Sequence, residues 1–96
     1  MNQEIYLVGL NHKTAGVDVR ERFALNGCDP RSGGLVSEDG PVAEALVLST
    51  CNRVEFLAVG DAAGNAPEAI ASFWAAQCGQ PASGLDGHIY SHTGAA

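Results

Sequence analysis

The fold is decided by residues 45–59, which read ALVLSTCNRVEFLAV. Two short runs of mainly apolar residues, 45–49 and 54–59, are separated by only a few polar residues. Such a pattern predicts two antiparallel strands joined by a tight turn. The polar residues of this stretch, and its only cysteine, are expected at that turn.

Upstream of this hairpin the sequence predicts one strand and one helix. Residues 5–8, IYLV, are short, apolar and rich in β-formers, which favours a buried strand. A helix with Thr14 as its N-cap is predicted to reach about Leu25. Residues 26–41 contain the pairs Asn-Gly, Gly-Gly and Asp-Gly, which are typical of a loop.

Downstream, a second helix is the clearest local prediction. Asn65 or Ala66 is its predicted N-cap, and it ends before Gly79, a natural residue just after the end of a helix. A last short strand is predicted over about residues 88–91. Thr93 would then cap a new helix, so we expect the chain to be truncated at residue 96. The predicted apolar stripe of the second helix is formed by Ile70, Phe73, Trp74 and Gln77.

The order strand, helix, strand, strand, helix, strand predicts an α+β fold. It is the order of the ferredoxin-like split βαβ sandwich (βαββαβ), an antiparallel sheet with its helices on one face. All 96 residues form one domain in this interpretation, with the hairpin turn exposed at one end of the sheet. The predicted core comprises Ile5, Leu7, Phe23, Leu46, Leu48, Phe56, Ile70, Phe73 and Trp74.

Composition narrows the classes of function. The formal charge is −6, and the five Lys and Arg residues all lie within the first 53 positions, which argues against a general nucleic-acid binder. The apolar runs are too short to cross a bilayer, and the acidic N-terminus does not resemble an export signal, so we expect a cytoplasmic protein. Three widely spaced cysteines argue against a disulfide framework.

The predicted turn carries the residues most suited to chemistry. In extended geometry Cys51, Arg53 and Glu55 would share one side, because side chains alternate along a strand. A guanidinium near a cysteine favours the thiolate, which is the nucleophilic form. Arg53 could equally bind a substrate carboxylate. From these residues alone, a catalytic thiol and an ordinary half-buried thiol both remain open.

Residues 9–15 (GLNHKTA) and 49–55 (STCNRVE), with 20–23 (RERF) between them, resemble the glutamyl-tRNA reductase family. The resemblance implies that residues 1–96 are the N-terminal catalytic domain of an oxidoreductase. In that family, NADPH-binding and dimerisation domains follow. The implied reaction reduces the glutamyl ester of glutamyl-tRNA to glutamate 1-semialdehyde, in tetrapyrrole (porphyrin) biosynthesis.

The resemblance also implies roles for individual residues. Cys51 matches the family's nucleophile, whose attack on the ester releases tRNA and leaves a glutamyl thioester. Thr50, Asn52 and Arg53 match the glutamate-binding residues around it.

Residues elsewhere in the chain receive weaker assignments. His12 and Lys13 match the first signature and are expected to support the site, although a purely structural role for His12 stays open. His88 and His92 precede the family's functional histidine and should not inherit its role. Gly16 replaces the proline usual in the family, which weakens the predicted helix start.

The implied cofactor is NADPH, bound by a domain outside residues 1–96, since no GxGxxG loop occurs here. We expect neither a cofactor nor a metal on residues 1–96 themselves. The implied partners are glutamyl-tRNA as substrate, a second subunit bound through a C-terminal domain, and the downstream glutamate-1-semialdehyde aminomutase. No membrane partner is expected.

Two other interpretations compete with this one. A metal site is disfavoured because no CxxC pair is present; its candidate ligands would be Cys51, His12, His88 and His92. The other alternative is a non-catalytic ferredoxin-like module that binds a ligand or partner, since fold does not imply function. Cys28 and Cys78 are assigned packing roles only.

Overall fold

A four-stranded antiparallel sheet organises the chain in the computed structural model, which describes residues 3–25, 29–31 and 33–95. The order of the strands across the sheet is β2-β3-β1-β4. The α+β class and the antiparallel sheet predicted from the sequence are confirmed. The elements in chain order are β1 (Gln3–Asn11), α1 (Val17–Arg22), β2 (Val42–Ser49), β3 (Arg53–Asp61), α2 (Ala66–Gln77), a short 3₁₀ helix (Ala82–Leu85) and β4 (Tyr90–Ala95).

One face of the sheet carries the hydrophobic core. Side chains at alternate positions of β1 and β3 are buried there together with residues of α2 and of the chain around α1. Trp74 lies at the centre, 5.3 Å from Phe56 between ring centroids, and its indole N–H donates to the Phe23 carbonyl at 2.8 Å. The largest buried side chains are Trp74, Tyr6, Phe23, Phe56, Leu10, Ile70 and Leu85.

The predicted core is wrong for β1 and β2. Ile5, Leu46 and Leu48 are 39%, 57% and 47% exposed, and the opposite alternation of β1, with Tyr6 and Val8, faces the core. Residues 5–10 are almost all apolar, so a slip of one residue still buries apolar side chains and the local pattern does not specify the face.

A second face of the sheet is therefore uncovered in the described part of the chain, and we call it the open face. Its apolar part is formed by Ile5, Leu46, Leu48 and Leu57. Because directly paired residues of antiparallel strands point to the same side, Glu55 and Tyr90 also belong to the open face.

Helix α1 is shorter than predicted. It begins at Val17 with Gly16 as its N-cap, so the prediction of Thr14 as the cap is wrong. The Thr14 hydroxyl instead accepts from the Asn11 N–H at 3.0 Å, and this local bond competes with helix capping. The helix therefore begins after this turn, at Val17, and it ends at Arg22 instead of about Leu25.

The C-terminal prediction is also wrong in part. Residues 93–95 continue β4 and do not begin a helix, and Thr93 pairs with Tyr6. Pairing with the long strand β1 provides hydrogen-bond partners for the backbone of these residues. The local preference of Thr93 for a helix cap is thereby overridden. Helix α2 has the predicted bounds, and Gly79 follows it with a φ of +64°.

The predicted loop of residues 26–41 is confirmed where the structure describes it. Cys28 lies outside the described residues, and residues 29–31 and 33–41 contain neither helix nor strand. Across the described ranges, no helix has the length and apolar character needed to span a bilayer.

Candidate active site

The candidate site is built on the turn between β2 and β3. Thr50 N–H donates to the Arg53 carbonyl at 2.8 Å, which leaves Cys51 and Asn52 as a two-residue tip. Two-residue hairpin tips usually need positive φ angles, but neither of these residues has one.

The Thr50 hydroxyl explains how this turn closes. It accepts from the backbone N–H groups of Asn52 at 3.3 Å and of Arg53 at 3.2 Å. A side-chain oxygen therefore replaces the main-chain acceptor that would ordinarily close the hairpin. Thr50 was predicted to bind substrate, and the structure engages its hydroxyl in holding the tip.

Cys51 lies at this tip with its side chain exposed and outside any disulfide. Asn52 and Arg53 beside it are exposed as well. The tip is anchored at both sides, because Ser49 and Arg53 are the terminal residues of two paired strands. An exposed thiol is thereby placed on a hairpin whose strands are paired on both sides of the tip.

Arg53 and Glu55 share the open face, as the alternation of the strand predicts. The Arg53 Nη1 atom lies 3.4 Å from Glu55 Oε1. The other carboxylate oxygen, Glu55 Oε2, accepts a 2.5 Å hydrogen bond from the Tyr90 hydroxyl. Tyr90 also contacts His92, with ring centroids 5.9 Å apart and the ring planes tilted by 40°. Arg53, the first residue after the cysteine turn, is thus linked through Glu55 to a phenol on β4.

The pKa of Tyr90 is raised from 10.0 to about 12. Burial is the main cause, followed by the hydrogen bond to Glu55 and the negative charge of that carboxylate; Arg53 and Asn11 act in the opposite direction. The phenol therefore stays protonated, and a hydrogen-bond donor, throughout the neutral range.

The end of β1 lies beside the turn. Asn11 is the last residue of β1 and pairs with Arg53, the first of β3. Its side-chain oxygen accepts from the Lys13 N–H at 2.8 Å, which orders the turn that follows the strand. His12 and Lys13 are exposed in that turn, and they directly follow Asn11, the partner of Arg53.

The remaining histidines are separated. His88 Nδ1 donates to the Thr14 carbonyl at 3.3 Å, whereas His92 lies on the open face beside Tyr90. Within residues 3–25, 29–31 and 33–95, no group of three or more His, Cys, Asp or Glu side chains could hold a metal ion.

The turns of the described chain do not fit a nicotinamide dinucleotide. In the Rossmann-type site, such a cofactor binds at a Gly-rich turn between a strand and a helix. The turn from β1 to α1 contains only Gly16, and that from β3 to α2 contains only Gly64. Neither turn provides the successive glycines that let a backbone approach a pyrophosphate.

Comparison with known proteins is decisive for the family. The family described as "Glutamyl-tRNAGlu reductase, N-terminal domain" matches residues 8–96. The chain belongs to this family. The resemblance inferred from the signatures at residues 9–15 and 49–55 is thus confirmed.

Individual members of the glutamyl-tRNA reductase family align along the whole chain. The protein of that name from Solidesulfovibrio magneticus is 55% identical over 97 residues, covering 100% of this chain and 21% of that protein. The one from Nitratidesulfovibrio vulgaris strain Miyazaki F is 50% identical over 94 residues, covering 98% and 21%. The one from Lawsonia intracellularis is 46% identical over 94 residues, with the same coverage. The chain therefore spans about a fifth of the length of these curated relatives.

In this glutamyl-tRNA reductase domain, the sequence interpretation assigned no role at the site to Tyr90 or Gly9. Tyr90 contacts Glu55 although the two are 35 residues apart in sequence, and no local sequence pattern predicts such a contact. Gly9 lies between them within β1, and a glycine inside an apolar strand is a known sign of close approach. That signal could have been read from the sequence.

Proposed function

We propose that residues 1–96 form the nucleophile-bearing, glutamate-binding catalytic domain of an NADPH-dependent glutamyl-tRNA reductase. Family membership supports this proposal, and the observation that carries it is the exposed Cys51 at the tip of a paired hairpin, two residues from Arg53. The strand order β2-β3-β1-β4, with a helix in each crossover, supports the ferredoxin-like sandwich as its framework.

The proposed role of Cys51 is to accept the glutamyl group. Its thiolate sulfur attacks the carbonyl carbon of the aminoacyl ester, so that a carbon–sulfur bond forms as the ester carbon–oxygen bond breaks. The tRNA leaves through its ribose oxygen, which takes up a proton. Sulfur donates less resonance to the carbonyl than oxygen, so the resulting thioester is a better hydride acceptor than the ester.

The neighbours of Cys51 bind the glutamyl group in this proposal. Arg53 offers a planar guanidinium that matches a carboxylate of the substrate. The Asn52 amide and the Thr50 hydroxyl complete the contact surface, and Thr50 also keeps the tip in place. His12 and Lys13 support the site from the end of β1, whose last residue pairs with Arg53.

The rest of the proposed activity depends on parts of the whole protein outside this chain. NADPH, when bound there, supplies the hydride that converts the thioester to glutamate 1-semialdehyde for tetrapyrrole synthesis. A further domain would form a homodimer, and the aminomutase that uses the aldehyde would be a partner in the cytoplasm. The small share of the relatives' length that the chain spans is consistent with this division.

A cysteine comparison tests the proposal. In the full-length protein, Cys51→Ser should abolish NADPH-dependent reduction of glutamyl-tRNA, because a hydroxyl is a far weaker nucleophile at neutral pH and forms no thioester. Cys78→Ala is the matched control; Cys78 follows the last residue of α2, its sulfur lies 3.7 Å from the Ala24 carbonyl, and reduction should persist. Mass spectrometry of the wild type should find a glutamyl adduct on Cys51. Near-normal turnover by Cys51→Ser would overturn the proposal.

A further inference from the structure

Glu55 and Tyr90 lie in one row of the sheet with Gly9 between them. Gly9 pairs with Glu55 on β3 and with Tyr90 on β4. Neighbouring strands are about 4.8 Å apart, so the backbones of Glu55 and Tyr90 are separated by about 10 Å. Their side chains nevertheless meet in a direct hydrogen bond, and the Glu55 side chain lies over Gly9 of β1.

Gly9 makes that crossing possible. A Cβ atom at position 9 would lie 2.8 Å from Glu55 Cγ, well inside van der Waals contact. The same atom would lie 2.6 Å from the Val54 carbonyl oxygen. Any side chain at this position would therefore displace Glu55 from its path to Tyr90.

The side chains of Glu55 and Arg53 differ in conformational freedom. The Glu55 side chain is 16% exposed and is fixed by Tyr90, whereas that of Arg53 is 46% exposed. Arg53 is long and flexible, and an unrestrained side chain of this kind has considerable rotamer entropy. The carboxylate is consequently the fixed partner of the ion pair, and the guanidinium is the group that it can order.

We infer that Glu55, held by Tyr90 across Gly9, is a positioning residue that fixes the orientation of the Arg53 guanidinium on the open face, at the end of β3 that follows the Cys51 turn. This inference rests on the proposed function, in which Arg53 receives a carboxylate of the glutamyl group. Glu55 contacts Nη1 only, and a guanidinium has five N–H donors, so donors remain for the substrate. The Tyr90 phenol is protonated at neutral pH and donates to Glu55.

Alkylation of Cys51 tests this arrangement in the full-length protein. Iodoacetate carries a carboxylate and iodoacetamide does not, so the ratio of their rates at Cys51 reports the guanidinium near the thiol. Tyr90→Phe and Glu55→Asp both preserve net charge. The first removes the hydroxyl that donates to Glu55, and the second shortens the side chain that carries the carboxylate. Each should lower the ratio about two- to fivefold, the range expected for a partly exposed ion pair. Rates are measured by mass spectrometry of the peptide that contains Cys51.

Tyr6→Phe is the matched control. Tyr6 also lies in the sheet and its hydroxyl donates to the Asp61 carbonyl, but it faces the core. Its loss should leave the ratio unchanged. A wild-type ratio in folded Tyr90→Phe, or in Glu55→Asp if the tyrosine variant does not fold, overturns the inference, and so does an equal fall in Tyr6→Phe.

The measurement needs neither glutamyl-tRNA nor NADPH, so it separates two kinds of failure. An active Cys51→Ser enzyme would refute the proposed function and leave the alkylation ratio interpretable. An unchanged ratio together with an inactive Cys51→Ser enzyme would refute the positioning role alone.

Discussion

Replacing Thr50 by Val should destabilise the hairpin that carries Cys51. Valine has nearly the same shape but no hydroxyl, so the N–H groups of Asn52 and Arg53 lose their acceptor. A typical internal hydrogen bond contributes about 0.5–1.5 kcal/mol, and these two donors are exposed enough for water to replace part of that. We therefore expect a loss of about 1 kcal/mol in the free energy of unfolding.

Thermal unfolding followed by circular dichroism measures this loss. For a domain of this size, about 1 kcal/mol corresponds to a fall in Tm of about 4–8 °C. Thr50→Ser is the control, because it keeps the oxygen and removes only a methyl group; its Tm should fall by less than half as much. Equal shifts in the two variants, or no shift in Thr50→Val, would show that the hydroxyl does not hold the turn.

Two further predictions concern the ion pair and the phenol. Arg53→Lys should impair reduction of glutamyl-tRNA, because an ammonium cannot reproduce the planar fork; unchanged kcat and apparent KM would make Arg53 purely structural. The pKa of Tyr90 is about 12 in the folded chain, against 10.0 for an unperturbed tyrosine, so its contribution to stability is complete below pH 10 and is lost as the pH rises through 12. Urea unfolding of wild type and Tyr90→Phe at about pH 9 and pH 11 should show a smaller alkaline loss in the variant, and parallel losses would contradict the assignment.

Elements with strong local signals could be predicted from the sequence. The hairpin of residues 45–59 has two apolar runs around a polar turn, and α2 has a proline in its first turn and Gly79 after its end. The position of Cys51 at an exposed tip follows from that hairpin alone. These features depend on neighbours within a few residues, which is the range over which sequence patterns act.

Features decided by distant partners could not be predicted. The side chains of residues 5–10 are apolar on both faces of β1, so packing against Trp74 and Phe56 determines which set is buried. Thr93 has a local preference for a helix cap, but pairing with Tyr6 draws it into a strand. The contact between Glu55 and Tyr90 likewise depends on β4 joining β1.

The central position of β1 has a consequence for the time course of folding. Its residues pair with β3, where Gln3 meets Asp61, and with β4, where Glu4 meets Ala95. Both ladders close long loops, and contacts between residues far apart in sequence slow folding because chain entropy is lost before they form. During synthesis, β1 leaves the ribosome before the other three strands of this sheet but acquires both neighbours only once β4 has emerged, so Cys51 gains its full surroundings at that stage.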